Sequence, residues 1–280
     1  MSSRFAEVPI AKVRDYWDRR PCNLRHSPAP VGTRQYFDEV EARKYLVEPH
    51  IRAFAEFPRW AGARVLEIGC GIGTDTMNFA RAGALVTAVD LSPKSLAVAR
   101  QRADVCGLSD RIRFVEADAE RLREYVEPAA YDLIYSFGVI HHSPRPEAIL
   151  DHVREHFVGP HSTLKIMVYH RHSWKVLGIL FREAHGAWWR LDEAIAANSE
   201  AQTGCPITYT YSRREGVELV RRAGFDVIGV AVDHIFPYRI EDYVEYRYEK
   251  VAPFRWLPNG AMRALERRFG WHLCLTARPR

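Results

Sequence analysis

The feature that most restricts this chain is the stretch Val65-Leu66-Glu67-Ile68-Gly69-Cys70-Gly71-Ile72-Gly73-Thr74-Asp75. An apolar run ends in an acid, three glycines follow within five positions, and a helical segment begins. Such a run reads as a buried strand turning through glycine into a helix, the junction where an open α/β sheet binds ligands at its strand ends. The spacing here is G-x-G-x-G, whereas a dinucleotide turn is G-x-G-x-x-G with its last glycine inside the helix. Glu67 stands two residues before the first glycine, where a pyrophosphate would meet negative charge. A cationic ligand suits that acid better.

From residue 63 the sequence alternates strand and helix. Strands are expected at 64–68, 85–89, 111–116, 131–136 and 164–169. Between them, Ser92 reads as a helix N-cap with Pro93 at the first helical position. This order predicts a doubly wound, mostly parallel α/β sheet of seven strands with an antiparallel last strand. Residues 1–60 are expected to form an N-terminal helical lid, with helices at 11–17 and 34–47 around a proline-rich loop. Residues 61–280 form the main domain, with insertions at about 170–211 and 235–258. Within the first insertion, Trp174, Leu177, Phe181, Ala184, Trp188, Leu191 and Ile195 follow three- and four-residue spacing, which predicts one long amphipathic helix. Ser212 to Glu215 reads as a capping box that opens a later helix.

Composition removes several classes. Over 280 residues the chain is 47% hydrophobic and 27% charged, with a formal net charge of +5 that permits an anionic partner without demanding one. No apolar run approaches the roughly 18–20 residues of a spanning helix, and the first residues lack the apolar core of a secretory leader. Five scattered cysteines with no C-x-x-C pair read as reduced thiols, hence a cytoplasmic location. No concentrated basic stripe supports nucleic-acid binding.

Two acids extend the glycine signal. Asp90 ends the second strand, 17 residues after Gly73, where an acid can accept from both ribose hydroxyls. Asp118 follows the third strand, in place to accept from an adenine amino group or to cap a helix. With Val89-Asp90-Leu91-Ser92, Glu116-Ala117-Asp118-Ala119 and the segment from Tyr131 through His141-His142-Ser143-Pro144, the glycine stretch resembles the cofactor motifs of class I S-adenosylmethionine-dependent methyltransferases, in their small-molecule branch. The resemblance covers residues 45–170 strongly and 225–278 more weakly. It implies that Glu67, Gly69, Cys70, Gly71, Gly73 and Asp75 surround the methionine part of S-adenosyl-L-methionine. Asp90 then takes the ribose and Asp118 the adenine, while Leu91, Ala119 and Phe137 line the adenine or sulfonium region.

The resemblance also sets limits. The Asn/Asp-Pro-Pro-aromatic element of nucleobase amine methylators is replaced here by Ser136-Phe137-Gly138-Val139, and no cysteine nucleophile stands there. A small-molecule acceptor methylated on oxygen is therefore expected, with His141 or His142 as the base, as proposed for resembling sugar and phenol O-methyltransferases. Methylation of nitrogen or a carboxylate, and a silent cofactor-binding module, are the rival readings.

Tyr16, Arg25, His26, Tyr169, His172, Tyr209 and Tyr211 are the candidate acceptor contacts, with His170 beside them. His152 and His156 have chelating i, i+4 spacing but no carboxylate-rich partner motif, so no metal is expected. The aromatic residues of the insertions offer a pocket wall or a homodimer face. The basic segment 262–269 is suited to touching an anionic membrane surface but is too short to anchor there.

Overall fold

The computed structural model describes residues 5–199 and 204–280. Residues 1–4 of the expected lid and 200–203 of the first insertion lie outside the described residues. Three helices precede the sheet: α1 (Ile10–Arg19), α2 (Arg34–Val47) and α3 (His50–Ala55). The alternating region follows as β1 (Arg64–Ile68), α4 (Thr74–Arg81), β2 (Leu85–Asp90), α5 (Pro93–Cys106), β3 (Ile112–Glu116), β4 (Tyr131–Phe137), α6 (Pro146–His156) and β5 (Val158–His170). The remainder is α7 (Trp174–Arg182), α8 (Leu191–Asn198), β6 (Thr210–Tyr211), α9 (Arg213–Arg222), β7 (Phe225–Asp233), α10 (Ile240–Val244), α11 (Asn259–Phe269) and β8 (His272–Pro279).

The strands form one sheet in the order β3-β2-β1-β4-β5-β8-β7, with the two-residue β6 beside β5. That short strand is an eighth, beyond the seven expected. β8 is antiparallel to both neighbours, β5 and β7, and the pairings from β3 to β5 are parallel. Connections run outward from β1 in both directions, so the chain order reverses between β1 and β4. Ligands enter an open α/β sheet at such a switch point, outside the carboxyl ends of the strands.

Both faces of the sheet are buried, as parallel strands with helices on each side require. Val65, Val86 and Leu133 pack into one apolar cluster, while Leu66, Val89 and Ile134 pack into the other. Alternation along each strand thus feeds two cores. Local signals hold at the helix starts. Ser92 Oγ accepts from the Ser95 amide at 3.1 Å with Pro93 next in line. Ser212 and Glu215 form the reciprocal capping box.

The single long helix of the first insertion is corrected. It is two helices, α7 and α8, broken where His185 and Gly186 take left-handed backbone angles of φ 49° and 80°. A glycine in that conformation ends a helix because it has no Cβ to clash. The stripe divides accordingly: Ala184 and Ile195 are buried, whereas Trp174, Leu177, Phe181 and Trp188 face solvent. Val176 and Ile179 form the buried face of α7 instead.

Candidate cofactor and acceptor site

The turn after β1 needs glycine for two separate reasons. At Gly69, φ is 79° and a Cβ would lie 2.1 Å from a Val139 methyl, so any side chain would collide with the loop after β4. At Gly71, φ is 54° and a Cβ would meet nothing within 4 Å, because that face of the turn borders open space. The Gly71 amide donates to Asp90 Oδ2 at 2.8 Å, and the Ser92 amide donates to Oδ1 at the same distance. Burial raises the pKa of Asp90, and those amides partly offset it. The acid at the end of β2 is thus held against the glycine turn.

Glu67 is buried, and its Oε2 accepts from Thr76 Oγ1 at 2.6 Å. Burial, with Asp75 nearby, pushes its pKa up to about 8. A carboxyl in that condition gains from any cation placed beside it. Asp118 Oδ1 accepts from the Glu120 amide at 2.9 Å, the capping role weighed from the sequence. Leu91, Ala119 and Phe137 are partly buried at the strand ends. Cys70 is buried, and burial drives its thiol well above the ordinary range, so it serves as packing.

Asp75 is committed to the protein itself. Its Oδ1 accepts from Lys44 Nζ at 2.7 Å and Tyr45 Oη at 2.9 Å, and its Oδ2 from Tyr135 Oη at 2.9 Å. Burial alone would lower the pKa of Lys44, but Asp75 and Glu48 more than compensate and raise it. This tie from α2 to α4 was missed from the sequence, since nothing in the spacing of Lys44, Asp75 and Tyr135 relates them.

The loop after β4 is fixed from below. Glu120 accepts from Ser143 Oγ, from the Arg145 amide at 2.8 Å and from Arg145 Nε at 2.8 Å. His141 and His142 ride on this loop with ring centroids 4.2 Å apart. His142 Nδ1 donates to the Ile207 carbonyl at 2.7 Å, and Trp17 of α1 meets its ring edge-on at 5.1 Å. His141 is fully buried, lies 3.9 Å from the ring centre of Tyr169, and has neither ring nitrogen hydrogen-bonded among the described residues. Burial, with His142 adjacent, holds its pKa well below the histidine range.

The candidate acceptor contacts separate. Tyr169 is at the histidine pair, stacked on Trp271 at 4.0 Å. Tyr209 joins the same loop, with its amide bonded to the His141 carbonyl at 2.9 Å and its hydroxyl to the Pro144 carbonyl at 3.2 Å. Tyr16 packs edge-on against Trp17 at 5.0 Å. Arg25 and His26 instead meet the second insertion: the Arg25 carbonyl accepts from Tyr246 Oη at 3.3 Å, and His26 Nε2 lies 3.2 Å from Tyr243 Oη. Tyr211 is buried in the core behind β5. His172 lines a surface groove with His170, Arg213 and Arg268.

A further cluster escaped sequence reasoning. Among the described residues, Glu48, His234 and His272 are the one group of three that brings metal-ligating atoms within 4.8 Å of one another. The His152–His156 pair, with ring centroids 5.7 Å apart, acquires no third ligand among them. No helix among the described residues is long and apolar enough to cross a membrane.

A doubly wound sheet with a glycine turn after β1, an acid ending β2 and a histidine loop after β4 defines a class I methyltransferase fold. Comparison with known proteins agrees: residues 65–158 match the family model described as a methyltransferase domain. Residues 65–158 therefore carry a methyltransferase domain, set in a sheet with the class I methyltransferase fold.

The chain is 41% identical over 91 residues to a ubiquinone biosynthesis O-methyltransferase of Xylella fastidiosa (strain 9a5c), a match covering 32% of this chain and 36% of that relative's length. A magnesium protoporphyrin IX methyltransferase from Synechocystis PCC 6803, solved with S-adenosylhomocysteine bound, aligns over 97% of this chain and 100% of its own, with a TM-score of 0.60 and 16% identity. A geranyl diphosphate C-methyltransferase from Streptomyces coelicolor A3(2) aligns over 100% of this chain and 99% of its own, with a TM-score of 0.60 and 13% identity. These two share the fold with this chain.

Proposed function

We propose that the protein transfers a methyl group from S-adenosylmethionine to an oxygen of a small-molecule acceptor, with His141 taking the acceptor's proton. The observation that carries this reading is the pair of unbonded ring nitrogens on a fully buried His141, at the strand end beside the cofactor turn. Buried polar atoms without partners inside the protein mark a place where a ligand supplies the partner. Supporting it, the relative from Xylella fastidiosa is a ubiquinone biosynthesis O-methyltransferase.

In this reading the sulfonium lies between the glycine turn and Phe137, and the acceptor lies over Tyr169 and His141. The cofactor supplies the methyl group and the leaving sulfur, so the protein positions the acceptor in line and removes one proton. Burial keeps His141 neutral, the form a base needs. His142, anchored through Nδ1 to the Ile207 carbonyl, positions its neighbour. The segment 1–60 acts as a lid, with Trp17 closing on the histidine loop and Asp18 accepting from Ser92 Oγ at 2.9 Å.

The test is product formation with S-adenosylmethionine and a panel of phenolic and aliphatic hydroxyl acceptors, read as appearance of S-adenosylhomocysteine and of a methylated product. Replacement His141→Ala is expected to lower kcat by roughly 10²–10⁴-fold and leave cofactor affinity unchanged. Because the folded pKa of His141 is depressed, the acid limb of kcat/KM should lie below about pH 6.5, the ordinary histidine value. Full activity of His141→Ala, or methyl transfer to amines alone, would defeat the proposal.

A further inference from the structure

The part of the cleft edge formed by β5, β8 and β7 carries a cluster that the cofactor turn does not use. Sheet register pairs Tyr169 with His272 and His272 with Asp233, the last residue of β7, so His272 and His234, which follows that strand, arrive at the same edge. Glu48 and His50 come from the α2–α3 junction, above that edge. His272 Nε2 lies 3.6 Å from Glu48 Oε1, and the rings of His234 and His272 stack at 4.6 Å.

The His272 ring is also anchored from outside the cluster. His272 Nδ1 meets His50 Nε2 at 3.0 Å, and the far nitrogen of His50 faces Asp233 Oδ1 at 3.9 Å. The backbone of His234 is fixed as well, its amide donating to Asp233 Oδ1 at 2.8 Å and its carbonyl accepting from the Trp271 amide at 2.7 Å. The Nδ1 of His272 is thus occupied by His50, which fixes the ring and leaves Nε2 toward Glu48. That is the outer-sphere arrangement that metal-bound histidines use. The three histidines are at least nine-tenths buried, with exposures of 8% for His50, 9% for His234 and 4% for His272.

We infer that Glu48, His234 and His272 bind one late first-row divalent metal ion, zinc or iron(II), with His50 holding His272 in place as an outer-sphere partner. Two imidazoles and one carboxylate are a donor set for these ions, whereas magnesium and calcium take oxygen shells. Metal bonds of about 2.0–2.2 Å put ligand atoms roughly 3–3.5 Å apart. The widest pair, at up to 4.8 Å, must therefore close by about 1 Å, a movement open to the partly exposed Glu48. Three protein donors leave a position for water or another oxygen ligand. The His272 ring is 5.4 Å from that of Phe137, so this position adjoins the acceptor side of the cleft.

The experiment is metal binding by the whole protein, stripped with a chelator and titrated with Zn²⁺ and Co²⁺ at neutral pH. One saturable ion per chain is expected, with the visible absorption of a four- or five-coordinate nitrogen and oxygen cobalt site. Replacing both ligands, His234→Gln with His272→Gln, should abolish saturable binding. His50→Ala should weaken it by about 10–100-fold, and His152→Ala/His156→Ala should leave it unchanged. No saturable uptake by the wild type, or uptake unaltered in the double variant, overturns the site. Should the variants unfold, X-ray absorption of the zinc-loaded wild type decides. A shell with two imidazoles supports the assignment, and one with any other number of imidazoles overturns it. Metal content is read without turnover, so this outcome is separate from whether methyl transfer occurs.

Discussion

The two halves of the cleft are built from different materials. At the ends of β1 and β2, Glu67 and Asp90 meet a hydroxyl and backbone amides supplied from within 19 residues along the chain. At the ends of β4, β5, β7 and β8, the lining is neutral imidazole and aromatic rings from separate segments: His141, Tyr169, His234, Trp271 and His272, with His50 from α3. A cofactor of fixed structure can be held by one compact stretch of sequence. An acceptor pocket assembled from many segments can be reshaped by changing any of them.

The largest test of this contrast lies where the two halves are tied together, at Asp75. Replacement Asp75→Ala leaves Lys44 buried without its carboxylate and removes the acceptor of two tyrosine hydroxyls. Breaking a buried pair from one side costs about 3–5 kcal/mol, to be read in urea unfolding. A loss under about 1 kcal/mol, the range of an exposed ion pair, would show that the tie is not a structural one.

Next in size is Asp90→Ala. If Asp90 accepts from the two ribose hydroxyls, as the proposed cofactor placement requires, two hydrogen bonds to a charged acceptor, each about 1.5–3 kcal/mol, are lost, and the Gly71 and Ser92 amides lose their partner. Calorimetry should show S-adenosylmethionine bound at least about 100-fold more weakly, since roughly 1.4 kcal/mol is tenfold. Wild-type affinity would move the cofactor away from the end of β2. The His234 and His272 replacements should leave the same affinity unchanged, if the halves are as separate as their construction implies.

Legibility in the sequence follows the same division. The glycine turn, Asp90, the Ser92 cap and the Ser212 capping box are local patterns, and each has a physical signature within a few residues. The break at Gly186 was also written locally, but the regular apolar spacing across it suggested a continuous helix. Tyr211 could not be separated from Tyr209 by type or position, yet pairing of β6 with β5 sends one into the core and leaves the other at the histidine loop. The Glu48–His50–His234–His272 cluster had no local signal at all, because only the antiparallel insertion of β8 between β5 and β7 brings its members together.

The finest test concerns Glu67. Its folded pKa of about 8 lies above the ordinary carboxyl value, so the cofactor-free protein carries it mostly protonated at pH 7. The sign follows from linkage: the folded state holds the extra proton between the ordinary pKa and about 8, so stability declines as pH rises through that window. Ionising this group at pH 7 costs about 1.4 kcal/mol, one pKa unit, a smaller quantity than either replacement above. A bound cation next to Glu67 should supply that energy and expel the proton. Calorimetric binding of S-adenosylmethionine at pH 7, compared in buffers of different ionisation enthalpy, should therefore show release of nearly one proton, fading above the pKa of about 8. Glu67→Gln should bind more weakly and release none. A buffer-independent enthalpy in the wild type would mean that the ammonium group is held elsewhere, and that the acid before the glycine turn serves only its bond to Thr76.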